Sequence, residues 1–131
     1  MTDIIKSFSS NNKEYSKFRP DYPKELYEFI IKHTQNHNSA WDCATGTGQA
    51  AAVLAEYFDI VYATDAAENQ IKEAIQKPNI KYATALSNKS YLQENSIDLI
   101  TIAQALHWFA NDETYKEIKK VAKKDAVIAA W

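Results

Sequence analysis

Both glycines of this 131-residue chain, Gly46 and Gly48, fall two positions apart inside WDCATGTGQAAAVLAEYFDIVYATD, residues Trp41 to Asp65. At an ordinary usage of about 7% a chain of this length would carry roughly nine glycines. The other turns are therefore built without them, and these two positions need a missing side chain. Ala40 to Ala44 is a short apolar run that suits a buried strand. AAAVLAEYF is apolar nearly all round and reads as a buried helix, and IVYAT reads as a second strand ending at Asp65. A strand, a tight turn and a helix bring backbone N–H groups toward whatever lies over the strand end, and glycine there lets a ligand touch main chain.

The rest of the chain repeats this alternation. Leu26, Phe29, Ile30 and His33 recur at helical spacing behind Pro23, which predicts a first helix reaching about His37. Ala67, Ile71, Ala74 and Ile75 make one face of a further helix, closed by Pro78 and Asn79, and IKYATA alternates as a third strand. Residues 86–95 are polar and carry no clear period. IDLITIA is a fourth strand, residues 111–124 a helix with Tyr115, Ile118, Val121 and Ala122 inward, and AVIAAW a fifth strand. Strands alternating with helices imply crossovers, hence an α/β Rossmann-like, doubly wound, mostly parallel sheet of about five strands in the order 3-2-1-4-5. Residues 1–22 read as an N-terminal arm and 23–131 as the domain itself. Ligands of such sheets bind beyond the carboxyl ends of the strands, which is where the glycine turn lies.

Bulk properties narrow the partners. A formal net charge of −2 gives no basic field to attract a polyanion or an acidic membrane, so neither nucleic acid nor a bilayer is an expected partner. The start lacks the basic and apolar regions of a signal peptide, no apolar run approaches the ~18 residues of a span, and the expected setting is cytoplasmic. One cysteine excludes a disulfide framework, and Cys43 in its strand reads as a small buried hydrophobe.

Gly46, Gly48 and Ala51 satisfy the dinucleotide pattern G-x-G-x-x-A, with Asp65 placed to take ribose hydroxyls. Asp42 discriminates between ligands. A carboxylate at the end of the first strand repels a pyrophosphate and attracts a cation. S-adenosylmethionine carries a sulfonium, an ammonium and a ribose but no phosphate, so it suits the pair Asp42 and Asp65 better than a dinucleotide does.

These motifs resemble the class I S-adenosylmethionine-dependent methyltransferases over nearly the whole chain. WDCATGTG is similar to the first motif, D-x-x-x-G-x-G, and VYATD to the acidic end of the second strand. YSKFRPDYP (Tyr15 to Pro23) and SIDLITIAQALHWF (Ser96 to Phe109) resemble a small-molecule branch that includes trans-aconitate methyltransferase-like proteins. The resemblance implies S-adenosylmethionine as cofactor and a small-molecule methyl acceptor. Asp42 would organise the amino-acid end of the cofactor. Ala44, Gly46 and Gly48 would form the turn beneath it, and Asp65 would hold the ribose. Ala66 and Asn88 would lie near the adenine, and Gln104 would offer a backbone carbonyl to the ammonium. Tyr15 and Arg19 would fold over the cofactor from the arm, while His107, as candidate base, and Trp108 would face the methyl acceptor. No proline follows the fourth strand, unlike the N/D-P-P-Y-like motif of base-modifying relatives.

Two departures carry expectations of their own. Ala44 replaces the first glycine of the commoner G-x-G-x-G form. The family fold has seven strands, the last two forming an antiparallel pair, and this chain ends at Trp131 within what would be strand five, which reads either as a fragment or as a naturally short protein. The open fifth-strand edge is expected to be covered by another chain, giving a homo-oligomer, or by a rearranged terminus. Plainer roles compete with the functional ones. Asp65 and Glu68 could cap the next helix, His33 and His37 lie four apart on a helix without a third metal ligand in view, and Arg19, the sole arginine beside fourteen lysines, could pair with a surface carboxylate. A cofactor-binding or assembly module without turnover, and a dinucleotide oxidoreductase, are the alternative functions.

Overall fold

The computed structural model describes residues 3–6, 22–103 and 112–131, with side chains for 22–103 and 112–131. Strands β1 (Asp3–Lys6), β2 (Ser39–Cys43), β3 (Ile60–Asp65), β4 (Ile80–Thr84), β5 (Ile97–Ile102) and β6 (Ala122–Ala130) form one sheet. Its order is β1-β6-β5-β2-β3-β4 and every pairing is parallel. The run β4-β3-β2-β5-β6 is the 3-2-1-4-5 order expected from the sequence. Helices α1 (Lys24–His33), α2 (Gln49–Leu54), α3 (Glu68–Lys72) and α4 (Asp112–Val121) supply the crossovers and flanks.

Central parallel strands are covered on both faces, which is why SAWDC and IDLITI show no polar alternation: every residue of β2 and β5 is buried. Alternate side chains divide between two cores. Leu26, Tyr27 and Ile30 of α1 and Ala51 and Leu54 of α2 pack with Ala40, Val61 and Leu99 on one face. Ile118 and Val121 of α4 pack with Trp41, Cys43, Ile100 and Ile102 on the other. Asp42 shares the parity of Ala40, so it lies on the α1/α2 face, opposite Thr101 across the β2–β5 ladder.

Helix α2 ends at Leu54, short of the AEYF read as its continuation, and α3 ends at Lys72, short of Pro78, with Ile75 exposed instead of on a buried helix face. Two further boundaries differ from the sequence reading, each for a local reason. Helix α1 stops at His33, because Thr34 turns extended and its hydroxyl donates to the Ile30 carbonyl at 2.8 Å, satisfying one of the carbonyls left open at the helix end. Strand β6 begins at Ala122, ahead of AVIAAW. Lys123 reaches the buried Asp98 at 2.9 Å and draws the polar KKD alongside β5, where the register slips between Ile97↔Ala122 and Leu99↔Val127. The Asp98 carboxylate also accepts the N–H groups of Asn38 and Ser39 at 3.0 Å, so it pins the entry of β2.

Within the segment read as an arm, residues 3–6 run as an edge strand instead, pairing with β6 from Asp3↔Val127 to Lys6↔Ala130. The edge that the sequence leaves open is thus taken by the chain's own N-terminal segment; residues 7–21 lie outside the described residues. The polar stretch after β4 is tied to α4. Ser90 donates to Glu117 Oε2 from its N–H at 3.1 Å and its hydroxyl at 2.5 Å, and the Ser87 and Thr114 hydroxyls lie 2.8 Å apart. Among the described residues, no helix is long and apolar enough to cross a membrane.

Candidate functional site

Strand order reverses at β2, whose neighbours β3 and β5 lead to opposite edges, and crossovers leaving in opposite directions open a crevice at its carboxyl end. A cavity of about 260 Å³ lies there. Asp42, Ala44, Thr45, Gly46 and Thr47 line it from the end of β2, and Gln49 and Ala50 from the start of α2. Ala103 after β5, Gln70 on α3 and Tyr22 before α1 complete the wall. None of these lining residues is a lysine or arginine.

The loop from Ala44 to Gly48 takes its shape from three left-handed residues. Ala44, Gly46 and Gly48 have φ of 60°, 60° and 86°. At Ala44 the methyl group is tolerated at a conformational cost of about 1–2 kcal/mol. The two glycines differ in what their missing side chains leave room for. A Cβ at Gly46 would meet nothing within 4 Å, and Gly46 faces the cavity. A Cβ at Gly48 would lie 2.3 Å from the Tyr82 hydroxyl oxygen. Gly48 therefore also packs against Tyr82 of β4, a constraint that the sequence reading did not assign to it.

Asp42 is 2% exposed yet lines the cavity. Its Oδ1 accepts the Thr101 hydroxyl and its Oδ2 the Thr45 hydroxyl, both at 2.7 Å. Burial pushes its pKa up from 3.8 to about 6; the two hydroxyls oppose the rise and the charge of Asp65 adds to it. The result is a carboxylate with little solvation, held still by two neutral donors. Such a group attracts a cation and penalises an anion. Burial, with the Asp42 charge second, also raises the Cys43 thiol and the Tyr82 phenol above their ordinary values.

Asp65 ends β3 and ties two backbones together. Its Oδ2 accepts the N–H of Gly46 and its Oδ1 the N–H of Ala67, both at 2.9 Å. Helix capping is not its role, because the N-cap of α3 is Ala67 and no side chain caps it. Each carboxylate oxygen keeps a lone pair, so the amide bonds leave acceptor capacity for hydroxyl donors.

Of the residues singled out in the sequence, Asp42, Ala44 and Gly46 line the cavity. Gly48, Asp65, Ala66 and Asn88 are described but do not. Ala66 and Asn88 are exposed on the loops after β3 and β4. Tyr15, Arg19, Gln104, His107 and Trp108 lie outside the described residues. His33 and His37 turn to local carbonyls, Nδ1 of the first to Phe29 at 2.8 Å and Nε2 of the second to Thr34 at 3.0 Å. Sequence reasoning missed Thr45, Thr101, Gln70, Tyr22 and Tyr82. Thr101 had a usable signal, being the one hydroxyl side chain within the otherwise apolar LITI of β5. Tyr22 had none, since its place depends on the edge-on ring of Trp131 at 5.6 Å.

Comparison with known proteins bears on the family and the fold. Residues 41–130 match a family described as a methyltransferase domain. A methyltransferase of Dictyostelium discoideum is 37% identical over 99% of this chain and 50% of its own length. An S-adenosylmethionine-dependent methyltransferase of Saccharomyces cerevisiae is 28% identical over 98% of this chain and 46% of its own. The chain thus spans about half the length of the curated relatives it matches. The solved structure of a type II methyltransferase from Anaeromyxobacter dehalogenans superposes with a TM-score of 0.81 at 40% identity, covering 86% of this chain and 48% of that one. With a parallel 3-2-1-4-5 sheet, a glycine turn at its switch point and a profile match over most of its length, the chain belongs to the class I S-adenosylmethionine-dependent methyltransferase family.

Proposed function

We propose that this chain binds S-adenosylmethionine in the cavity at the carboxyl end of β2 and serves methyl transfer to a small molecule, a carboxylate being the acceptor class favoured by the arm and post-β5 motifs. The observation that carries the reading is Asp42, a buried carboxylate at a cavity whose described lining holds no basic side chain. A sulfonium and an ammonium fit that lining. A pyrophosphate, the anchor of a dinucleotide, does not.

Asp42 receives the cationic amino-acid end of the cofactor, and Thr45 and Thr101 hold its carboxylate still. Ala44, Gly46 and Gly48 shape the turn below. Asp65 accepts the ribose hydroxyls on the lone pairs that Gly46 and Ala67 leave open, with Ala66 and Asn88 toward the adenine. Tyr15 and Arg19 close over the cofactor from the N-terminal side, and Gln104 contributes its carbonyl. S-adenosylmethionine, when bound, supplies an electrophilic methyl group on a positively charged sulfur. With so good a leaving group, the residues act mainly by alignment and exclusion of water. His107 takes a proton where the acceptor is a hydroxyl or an ammonium. A carboxylate needs none removed, and there His107 and Trp108 serve to position it. The expected setting is cytoplasmic.

Calorimetric titration with S-adenosylhomocysteine and NAD in parallel tests the cofactor, binding of the first alone being the expected result. Turnover on a panel of small carboxylic acids tests the reaction. Binding without turnover on any of them would favour a cofactor-binding module, and turnover unchanged in His107→Ala on a saturating carboxylate would remove His107 as a base.

A further inference from the structure

Gly48 is buried, and the space its side chain would need is filled by the Tyr82 ring edge and hydroxyl of β4. An added Cβ would lie 2.3 Å from the Tyr82 hydroxyl oxygen and 3.2 Å from Cζ. The hydroxyl is not free to swing away, because it donates to the Ile75 carbonyl at 2.5 Å. The N–H of Ile75 in turn donates to the carbonyl of Thr47 at 3.0 Å, one residue before Gly48. From Tyr82 to Ile75, to Thr47, to Gly48 and back, the contacts close a ring between β4 and the loop beneath the cavity. The seam continues along α2, where Lys77 Nζ meets the Ala52 carbonyl at 3.2 Å and Asn79 Nδ2 the Ala55 carbonyl at 2.8 Å. Those two bonds hold the body of α2. At the loop itself, the bracket runs through Tyr82.

We propose that Tyr82 is a positioning residue of the glycine loop: its hydroxyl seats on Gly48 and, through Ile75, fixes the Thr47 carbonyl, setting the loop in place for the nucleoside. The inference rests on the cofactor reading above, since it assigns the loop the task of receiving that ligand. A loop held at its binding geometry loses less freedom when the ligand arrives, so the hydroxyl contributes to affinity without touching the ligand. The hydroxyl is what distinguishes tyrosine from the phenylalanine that would fill the same strand site.

The test uses the full chain carrying Tyr82→Phe, which keeps the ring and removes one oxygen. In the ligand-free protein, hydrogen exchange of the Gly48 and Ile75 amides is expected to quicken by about tenfold as local opening becomes easier. The dissociation constant for S-adenosylhomocysteine is expected to rise about threefold to tenfold, the effect of one lost hydrogen bond. Gly48→Ala, made in both backgrounds, supplies a readout that a merely structural role would not move. Its affinity loss is expected to be smaller in the Tyr82→Phe background, where the 2.3 Å contact is gone.

Unchanged exchange overturns the proposal whatever the protein binds. Quickened exchange with equal affinities overturns the role toward the ligand, as do strictly additive losses of the two substitutions. If the unsubstituted chain takes no S-adenosylhomocysteine, the cofactor reading fails and exchange alone decides whether the bracket exists.

Discussion

Asp42 makes the free protein less stable than a neutral residue in the same place would. Its folded pKa of about 6 exceeds the ordinary 3.8, so the native state binds the proton more tightly than the unfolded chain. Between those values the native state holds more protons, and stability falls as pH rises, levelling off above about 6. The displacement corresponds to about 3 kcal/mol of destabilisation once the group is fully ionised. Asp42→Asn removes the charge but keeps the contacts, since the amide oxygen accepts from one threonine hydroxyl and the amide nitrogen donates to the other. For a chain of this size about 3 kcal/mol is roughly 10 °C in melting temperature. Melting curves of both proteins from about pH 4 to about pH 8 are the assay, because all other titrating groups cancel in the difference. The variant is expected to match the original near pH 4, gain stability over it up to about pH 6, and hold that gain above. Its affinity for S-adenosylmethionine is expected to drop by about tenfold or more, the cation having lost its partner. A variant no more stable at about pH 8, or a difference that does not change with pH, would refute the argument that desolvation governs this carboxylate.

In the unsubstituted protein, affinity for S-adenosylmethionine is expected to decline below about pH 6 as Asp42 takes up its proton, by up to tenfold per pH unit in a calorimetric series. Ala44→Gly relieves a left-handed alanine and is expected to raise stability by about 0.5–1 kcal/mol in denaturant titration, the gain being limited by the extra freedom of glycine in the unfolded chain. Asp98→Ala leaves Lys123 and the N–H groups of Asn38 and Ser39 without their shared acceptor, and is expected to cost about 3 kcal/mol or more; a loss under about 1 kcal/mol would count against the pinning of β2 and β6 at that point. At Glu117 desolvation alone would raise the pKa, but the Ser90 hydroxyl and N–H and the Lys120 ammonium overcome it, so the pKa lies below the ordinary 4.5. The stability this gives is complete above 4.5 and is lost as pH falls through the lowered value, so Glu117→Gln should flatten the acid limb of the stability curve.

The sheet was legible because burial on both faces leaves a plain trace. Ala40 to Ala44, IDLITIA and AVIAAW are short, largely apolar runs that suit buried strands, IVYAT is β-branched and aromatic, and the helical stretches between them dictate crossovers. Asp42, Ala44 and Gly46 could be placed at the cavity for a similar reason: Asp42 stands near the end of the strand at which the order reverses, and Ala44 and Gly46 follow it. What stayed hidden depends on partners far away in the chain. The boundary of β6 is set by a lysine finding Asp98, and the two hydroxyls on Asp42 come from a loop and from a strand 59 residues away. Residues 3–6 have no apolar period of their own, and only the open backbone of β6 gives them a reason to be a strand.

The two glycines that stand out in the sequence answer to different physics, and the motif hides the difference. Gly46 has φ of 60° and open space where its side chain would be, so alanine there bears backbone strain and narrows the cavity. Gly48 has φ of 86° and the Tyr82 oxygen in that space, so alanine there bears the same strain and also displaces a tyrosine from its bond to Ile75. The two substitutions should therefore separate in their consequences. At 46 the loss should fall mainly on ligand affinity, whereas at 48 it should spread to the exchange of the Ile75 amide and to the melting temperature. Equal effects on all three measurements would mean that the loop moves as one body, and that neither the cavity nor Tyr82 explains why glycine stands where it does.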